Sequence, residues 1–371
     1  MKTIHLVAAA RPNFMKIAPL YHALKNEQWC SPLIVHTGQH YDIDMSEAFF
    51  RDLNLPDPAL HLGVGSGTHA EQTGGVMIAY EKACITQKPD LTLVVGDVNS
   101  TMACAITAKK LMIPVAHLEA GLRSRDWTMP EEINRIVTDS ISDLLLTPSP
   151  DADENLIAEG VPKQRIRFVG NIMIDSYEML RDRIKERDVA HEHGVLQGEF
   201  VVVTLHRPSN VDSIRSLTEI CGILTRLAER ITVVFPVHPR TKERLTCFGL
   251  WEGMSRVQGI HILPPLGYIE FMSLIEKCKF VITDSGGVQE ETTYLGKPCL
   301  TFRPNTERPI TVKQGTNRLV TSQTIAMYIS EIFESRFPKG TNPALWDGRT
   351  AGRVVLVLQN FLKAKYDNVP L

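Results

Sequence analysis

Residues 283–291 read Thr-Asp-Ser-Gly-Gly-Val-Gln-Glu-Glu and follow the apolar run Phe280-Val-Ile. The pattern is a strand that ends, a tight Ser-Gly-Gly turn, and a helix that begins. The free N–H groups of such a turn and the positive end of the helix dipole form an anion site, and glycine lets a phosphate approach the backbone. Ser285, Gly286 and Gly287 are therefore candidate diphosphate ligands. Glu291, one turn along the helix, is placed to accept hydrogen bonds from ribose hydroxyls. A simple helix cap would explain Ser285 and one glycine, but not Gly-Gly followed by paired glutamates.

Three acidic positions offer proton chemistry: Asp97 in Gly-Asp-Val-Asn-Ser, Glu119 in His-Leu-Glu-Ala-Gly-Leu-Arg, and Glu131 in Met-Pro-Glu-Glu-Ile-Asn-Arg. Asp97 and Glu119 each follow a buried strand, where a carboxylate has no packing role. Asp97 also fits a helix cap, and Glu131, just after Pro130, is favoured by the helix dipole alone. Taken together, three carboxylates around one cleft can set their pKa values apart and supply an acid and a base. His206-Arg207 and His238 end two strands of the second half, facing the proposed phosphate turn. Arg11, Lys16, Arg135 and Arg308 are cations that could neutralise a diphosphate, although each also reads as an ordinary surface charge. No histidine, cysteine or carboxylate spacing reads as a metal site. No GxxxxGK loop occurs, and Gly63-Val-Gly65-Ser-Gly67-Thr68 fails as a dinucleotide fingerprint because its third glycine falls one place early. It reads as a loop, and a bound nicotinamide is not expected.

These residues must be held by repeated strand–helix units. Strands are expected at 4–9, 33–36, 91–95, 115–118 and 144–147, and again at 200–205, 231–237, 262–263, 280–283 and 299–302. Helical stretches separate them, among them 15–25, 44–53, 70–87, 101–111, 132–141, 213–230, 268–277 and 288–295. Continuous Val/Ile/Leu strands alternating with helices indicate parallel sheets covered on both faces. The pattern occurs twice, so the expected fold is α/β with two doubly wound Rossmann-like domains facing across a cleft. Residues 1–174 form the first expected domain and 175–371 the second. The charged stretch 175–193 carries the join, or else is a surface helix of the first domain. The last helix, about 354–371, is a candidate to pack back on the first domain. Ligands in such sheets bind beyond the carboxyl ends of the strands, which is where the chemistry-bearing residues fall.

Composition sets the outer limits. The chain has 371 residues, 43% hydrophobic, with Lys+Arg 40 against Asp+Glu 42. That is length for two domains, and near-neutral charge argues against a nucleic-acid partner. No apolar run approaches the roughly 18 residues of a membrane span. The opening Met-Lys-Thr-Ile-His-Leu-Val reads as a buried first strand rather than a signal peptide, since its apolar stretch is short and carries His5. The seven cysteines are scattered and never form CxxC pairs, which suits reduced core thiols in a cytoplasmic protein.

The motifs, taken in order, resemble the non-hydrolysing UDP-N-acetylglucosamine 2-epimerases over nearly the whole chain. They are Arg11-Pro12 through Lys16, His36-Thr-Gly-Gln-His40, Gly96-Asp97, His117 to Arg123, Pro130 to Arg135, His206-Arg207, Asp284 to Glu291 and Thr306-Glu-Arg-Pro309. The resemblance implies a GT-B-like fold, a UDP-amino sugar substrate, no cofactor, a homodimer, and a role in supplying N-acetylmannosamine units for polysaccharide. It matches Asp97, Glu119, Glu131 and His206 to catalytic positions. It matches Arg11, Phe271, Ser285, Gly286, Gly287, Glu291 and Arg308 to UDP-binding positions, although Phe271 also reads as helix core. Bacterial members are often activated at a second site. Gln39 and His40 of that site are present, but 41–45 depart from the usual pattern and Gly75 replaces an expected arginine.

The residues suit the chemistry that the resemblance implies. The C2 proton of UDP-GlcNAc has no adjacent carbonyl, so UDP must leave first to build positive charge at C1. A base, an acid on the opposite face and cations on the diphosphate are then required. An epimerase for another UDP-amino sugar, such as UDP-diacetamido-glucuronate, a hydrolysing epimerase and a GT-B glycosyltransferase remain alternatives. A silent nucleotide-sugar binder would be expected to have lost some of these carboxylates.

Overall fold

Apolar β-branched runs separated by amphipathic stretches become two parallel sheets in the computed structural model, which describes residues 1–38, 50–195 and 198–366. The chain divides into two compact units, Met1–Met179 with Ala344–Leu371, and Leu180–Pro343. The division falls inside the helix Ile172–Glu186.

The first unit holds β1 (Lys2–Ala8), β2 (Cys30–His36), β3 (Leu60–His61), β4 (Leu91–Val95), β5 (Val115–Leu118), β6 (Leu144–Thr147) and β7 (Ile166–Phe168). They pair in the order β3-β2-β1-β4-β5-β6-β7, all parallel. Every residue of β4, β5 and β6 is buried, as expected of strands covered on both faces. The chain runs outward from β1 to β3, then returns to place β4 on the other side of β1. The β1/β4 boundary is therefore the topological switch point, where loops diverge and leave a crevice. Register pairs Val95 with Leu118, so the turns after β4 and β5 lie side by side.

In the second unit β8 (Phe200–Thr204), β9 (Thr232–Pro236), β10 (Ile260–Leu263), β11 (Phe280–Thr283), β12 (Cys299–Thr301) and β13 (Asn317–Leu319) pair in the order β10-β9-β8-β11-β12-β13, again all parallel. The switch point here is β8/β11. Thr204 pairs with Thr283, which brings the segment beginning at Leu205 beside that beginning at Asp284. The core of this unit is built on the Val/Ile faces of β8, β9 and β11 and the apolar stripe of the helix Ile214–Ala228.

The C-terminal segment belongs to the first unit. The helix Thr350–Tyr366 packs against Arg11–Lys25. Its N-terminal amides at Thr350 and Ala351 donate to Asp175 at 3.1 and 2.7 Å. Trp346 donates its indole N–H to the Pro148 carbonyl at 2.9 Å. The Thr350 and Ala351 contacts satisfy helix-end donors that otherwise lack partners.

Three strands escape the sequence pattern. β3, β7 and β13 have only two or three residues each, too few for a periodicity to show. The stretch 63–68 is a loop, as expected, that ends in Thr68 capping the helix His69–Thr86 through Glu71 N. Of the helix expected at 44–53, residues 44–49 lie outside the described residues, as do Gln39 and His40. Among the described residues no helix is long and apolar enough to cross a membrane. The seven cysteines are free, and all but Cys247 are buried.

Candidate active site

The carboxyl ends of β1, β4 and β5 gather the first group. Asn13, in the first turn after β1, is buried. Its Oδ1 accepts from the amide of Ala10 at 3.0 Å and its Nδ2 donates to the Val95 carbonyl at 3.1 Å. That pins the start of the helix Arg11–Lys25 to the end of β4. One turn on, Lys16 is buried and ion-paired with Glu119 Oε2. The other oxygen, Oε1, is buried without a protein partner, so one lone-pair face of Glu119 is uncommitted. Glu119 itself sits at φ 70°, a left-handed conformation costly for a non-glycine residue. Two N–H groups, of Glu119 and Ala120, hold it there by donating to the Leu146 carbonyl at 3.1 and 3.2 Å.

Gly96 makes the adjoining left-handed turn at the end of β4. It has φ 70°, and an added Cβ would stand 3.4 Å from both Asn13 Nδ2 and Lys16 Nζ. Asp97 follows it, part-exposed, with Oδ2 accepting from Arg135 Nε at 3.0 Å and from Arg135 NH2. Arg135 also donates to Glu132 Oε2 at 2.6 Å. Asn134 donates to the Asp97 carbonyl at 2.8 Å.

Glu131 and Glu132 separate in role. Glu131 is half-buried in the first turn of the helix Pro130–Ile141, whereas Glu132 is buried. Glu132 accepts from Ser124 N and Oγ, both at 3.0 Å, from Arg125 N at 2.8 Å and from Arg135. Burial opposes its ionisation, but these donors hold its pKa below the ordinary range. Sequence reading did not distinguish the two glutamates. The signal was the spacing 132, 135, 139: charged residues at helical intervals of three and four, on the stripe that packing normally gives to apolar side chains.

The second group lies at the β8/β11 switch point. Asp284 is fully buried and accepts from His206 N, Arg207 N at 2.9 Å, Asn210 Nδ2 at 2.9 Å and His206 Nδ1 at 3.0 Å. Burial pushes its pKa up, but these donors, His206 foremost, bring it below the ordinary range. The carboxylate thus fixes the part-exposed His206 ring through Nδ1. The His238 ring lies with its centroid 5.3 Å from that of His206. Its Nδ1 accepts from Arg240 N at 3.2 Å, and burial, then the neighbouring His206, lower its pKa. Sequence reading singled out the two histidines but not the aspartate that orients one of them.

Ser285 is the N-cap of the helix Gly286–Tyr294, and Gly287 faces open space. Gly286 has a specific reason to lack a side chain, because a Cβ there would meet Arg308 NH1 and Glu307 Oε1, each at 2.6 Å. Arg308 is held over the turn by Glu290, at 2.9 Å from its Nε, and by Glu307. Glu307 is in turn 2.7 Å from Arg303. Gln289 links this cluster to β13, accepting from Thr306 Oγ1 at 2.7 Å and Asn317 Nδ2 at 2.9 Å. Glu291 is buried, and that burial pushes its carboxyl up to about 8, against the hydrogen bond from Tyr268. Phe271 lies on the same helix as Tyr268, half-buried. Arg11 is exposed in the first turn after β1. Glu290 and Glu307 are the partners that sequence reading missed.

Two doubly wound, Rossmann-like units with chemistry at both switch points define an α/β chain of the GT-B-like class. The family model described as UDP-N-acetylglucosamine 2-epimerase matches residues 22–359. The UDP-N-acetylglucosamine 2-epimerase of Methanocaldococcus jannaschii is 40% identical over 363 residues, covering 96% of this chain and 98% of that one. A UDP-2,3-diacetamido-2,3-dideoxy-D-glucuronate 2-epimerase of Pseudomonas aeruginosa is 40% identical over 324 residues, 86% of this chain and 88% of the other. The crystal structure of the M. jannaschii enzyme in complex with UDP-GlcNAc and UDP superposes with a TM-score of 0.87 at 38% identity, covering 96% and 99% of the two chains. That of the Neisseria meningitidis UDP-GlcNAc 2-epimerase bound to UDP-GlcNAc gives 0.88 at 27% identity, over 97% and 100%. The chain belongs to the UDP-N-acetylglucosamine 2-epimerase family.

Proposed function

We propose that this chain interconverts UDP-GlcNAc and UDP-ManNAc without hydrolysis, by eliminating UDP and adding it back. The observation that carries the reading is that each unit's switch point holds its own kind of group. Asp97 and Glu119 follow adjoining strands of the first unit, Glu131 begins the helix whose Arg135 holds Asp97, and a phosphate-ready Ser285–Gly287 turn with Arg308 over it stands in the second. The C1–O bond breaks and its electron pair leaves with UDP, while a carboxylate takes the C2 proton to give 2-acetamidoglucal. Protonation of C2 from the opposite face and re-addition of UDP at C1 complete inversion. Glu119 Oε1, uncommitted and beside Lys16, suits proton transfer, and Asp97, held by Arg135, suits the other face. Arg308, the turn amides and His206, through Nε2, stabilise the departing diphosphate. Arg11, Phe271, His238 and Glu291 complete UDP binding, with Glu291 serving the ribose hydroxyls. Gln39 and His40 retain part of a second, activating nucleotide-sugar site. From the family resemblance we carry forward a cytoplasmic homodimer that supplies ManNAc units for polysaccharide; the buried thiols suit a reducing compartment.

A second reading is supported by the Pseudomonas relative, which has the same 40% identity as the Methanocaldococcus one, over 324 rather than 363 residues. In it the same chemistry acts on UDP-diacetamido-glucuronate. Proton NMR of the purified protein with each sugar separates the two, since the anomeric signal of the 2-epimer will appear with the true substrate. Free ManNAc together with UDP would instead identify a hydrolysing enzyme. A spectrum that stays unchanged with both sugars would remove the epimerase reading.

A further inference from the structure

Asp139 has no role in the site described above, yet it is buried at 1% exposure at the centre of that site's scaffold. Its Oδ1 lies 2.6 Å from His117 Nδ1. Its Oδ2 accepts from Gly121 N at 3.0 Å and lies 2.7 Å from Arg123 NH1. Burial pushes the Asp139 carboxyl up, but His117 and Arg123 outweigh it and hold it below the ordinary range. Arg123 continues outward to Glu159, donating from Nε at 2.9 Å and NH2 at 2.7 Å. The His117 ring, fully buried, places Nε2 2.9 Å from the Gly96 carbonyl. Both ring nitrogens thus face oxygens, and because a carbonyl can only accept, Nε2 is the nitrogen that must donate to hold Gly96.

We infer that His117 and Asp139 are positioning residues that set the spacing of the three candidate catalytic carboxylates. The inference rests on the epimerase reading above. Three links converge on this pair. Through His117 it holds the carbonyl of Gly96, whose left-handed turn launches Asp97. Through the Gly121 amide it holds the turn Glu119–Gly121, in which both end residues have positive φ. Asp139 itself lies on the helix Pro130–Ile141, which carries Glu131 in its first turn and Arg135 one turn before Asp139. The ends of β4 and β5 and the Glu131 helix are therefore tied at one buried point. A reaction that removes a proton from one face and returns it to the other depends on that spacing, and a misplacement of about 1 Å can cost about a hundredfold in rate.

Stability alone and positioning predict opposite rankings for two variants. In His117→Gln the side-chain amide reaches the place of Nε2 and keeps the Gly96 carbonyl, while the Asp139 contact is weakened. In His117→Asn the amide falls near the place of Nδ1, keeping Asp139 and releasing Gly96. The experiment measures kcat, KM, UDP affinity and Tm for both variants and for Asp139→Asn, with whichever UDP-amino sugar the wild type turns over. His117→Asn will lose about a hundredfold in kcat with KM and UDP affinity within a few-fold, and will melt above His117→Gln. His117→Gln will keep more kcat than His117→Asn although it is the less stable of the two. Asp139→Asn will lose kcat with UDP affinity retained. Wild-type kcat in His117→Asn, or losses of kcat that follow the losses of Tm, would overturn the inference.

A second measurement does not depend on turnover. Ring ¹⁵N NMR of His117 in the labelled wild-type protein will show a proton on Nε2, the nitrogen that faces the Gly96 carbonyl. A bare Nε2 means that Gly96 is not held, and the inference fails even if the protein is an epimerase. A protonated Nε2 in a protein that turns over no UDP-amino sugar would instead overturn the epimerase reading, and the positioning role with it.

Discussion

Lys16 and Glu119 form a buried ion pair that joins the helix after β1 to the residue after β5, across the intervening end of β4. Gly96 lies beneath the pair: a side chain there would stand 3.4 Å from Lys16 Nζ and 3.6 Å from Glu119 Oε2. At those distances a side chain would be in ordinary contact with the pair, so it is the φ of 70° that calls for glycine.

Removing one partner of this pair strands a buried charge, a loss of about 3–5 kcal/mol. Lys16→Met and Glu119→Gln will each lower the unfolding free energy by that order and abolish turnover. The double variant will recover much of the stability and none of the activity. Urea unfolding of the four proteins checks this; additive losses in the double variant would show that the pair is not coupled.

Gly286→Ala tests the second unit. Its methyl group must displace Arg308, which Glu290 and Glu307 pin in place. UDP affinity, measured by calorimetry, will fall by about tenfold or more, the equivalent of one charge-assisted hydrogen bond. Gly287→Ala, which meets no protein atom, will weaken UDP only where the diphosphate itself lies against the turn. An unchanged affinity in both variants would place the diphosphate elsewhere.

Asp284→Asn keeps the shape of the side chain but removes the negative charge that orients His206 and accepts its Nδ1–H. Turnover will fall by about a hundredfold or more, as when the orienting carboxylate of a histidine is lost elsewhere. Full activity would make Asp284 a purely structural residue.

Glu291 makes stability depend on pH with a definite sign. Its carboxyl is raised from 4.5 to about 8 by burial. Between those values the folded protein holds a proton that the unfolded chain has released, so stability falls as pH rises through that window. Above about 8 the penalty is fully present, of order a few kcal/mol, and near pH 4 it is absent. Glu291→Gln will therefore gain stability relative to the wild type as pH goes from 5 to 9, read by urea unfolding at each pH. Parallel pH dependences would contradict the buried, protonated state.

The long strands and their chemistry-bearing ends were legible because fully buried parallel strands are unbroken apolar runs, and a carboxylate just beyond one stands out. Asp97, Glu119, His206 and Ser285 all fall at such ends in the structure. The short edge strands β3 and β13 were illegible, because two or three residues carry no period. The supporting residues were hidden for a different reason. Asp139, Glu132 and Glu307 look like surface acids in sequence, and only their burial among several partners distinguishes them. Which histidine nitrogen is held, and by what, belongs to three-dimensional geometry alone.

The central claim is that UDP departs and returns while C2 changes hands. UDP-GlcNAc carrying ¹⁸O in the bond between C1 and the phosphate, incubated with the protein in D₂O, tests both halves at once. The account predicts that the 2-epimer forms with deuterium at C2 and that the label scrambles from the bridging to the non-bridging phosphate positions. Epimer that forms with the C2 hydrogen retained, or with the ¹⁸O still in place, would contradict elimination and re-addition.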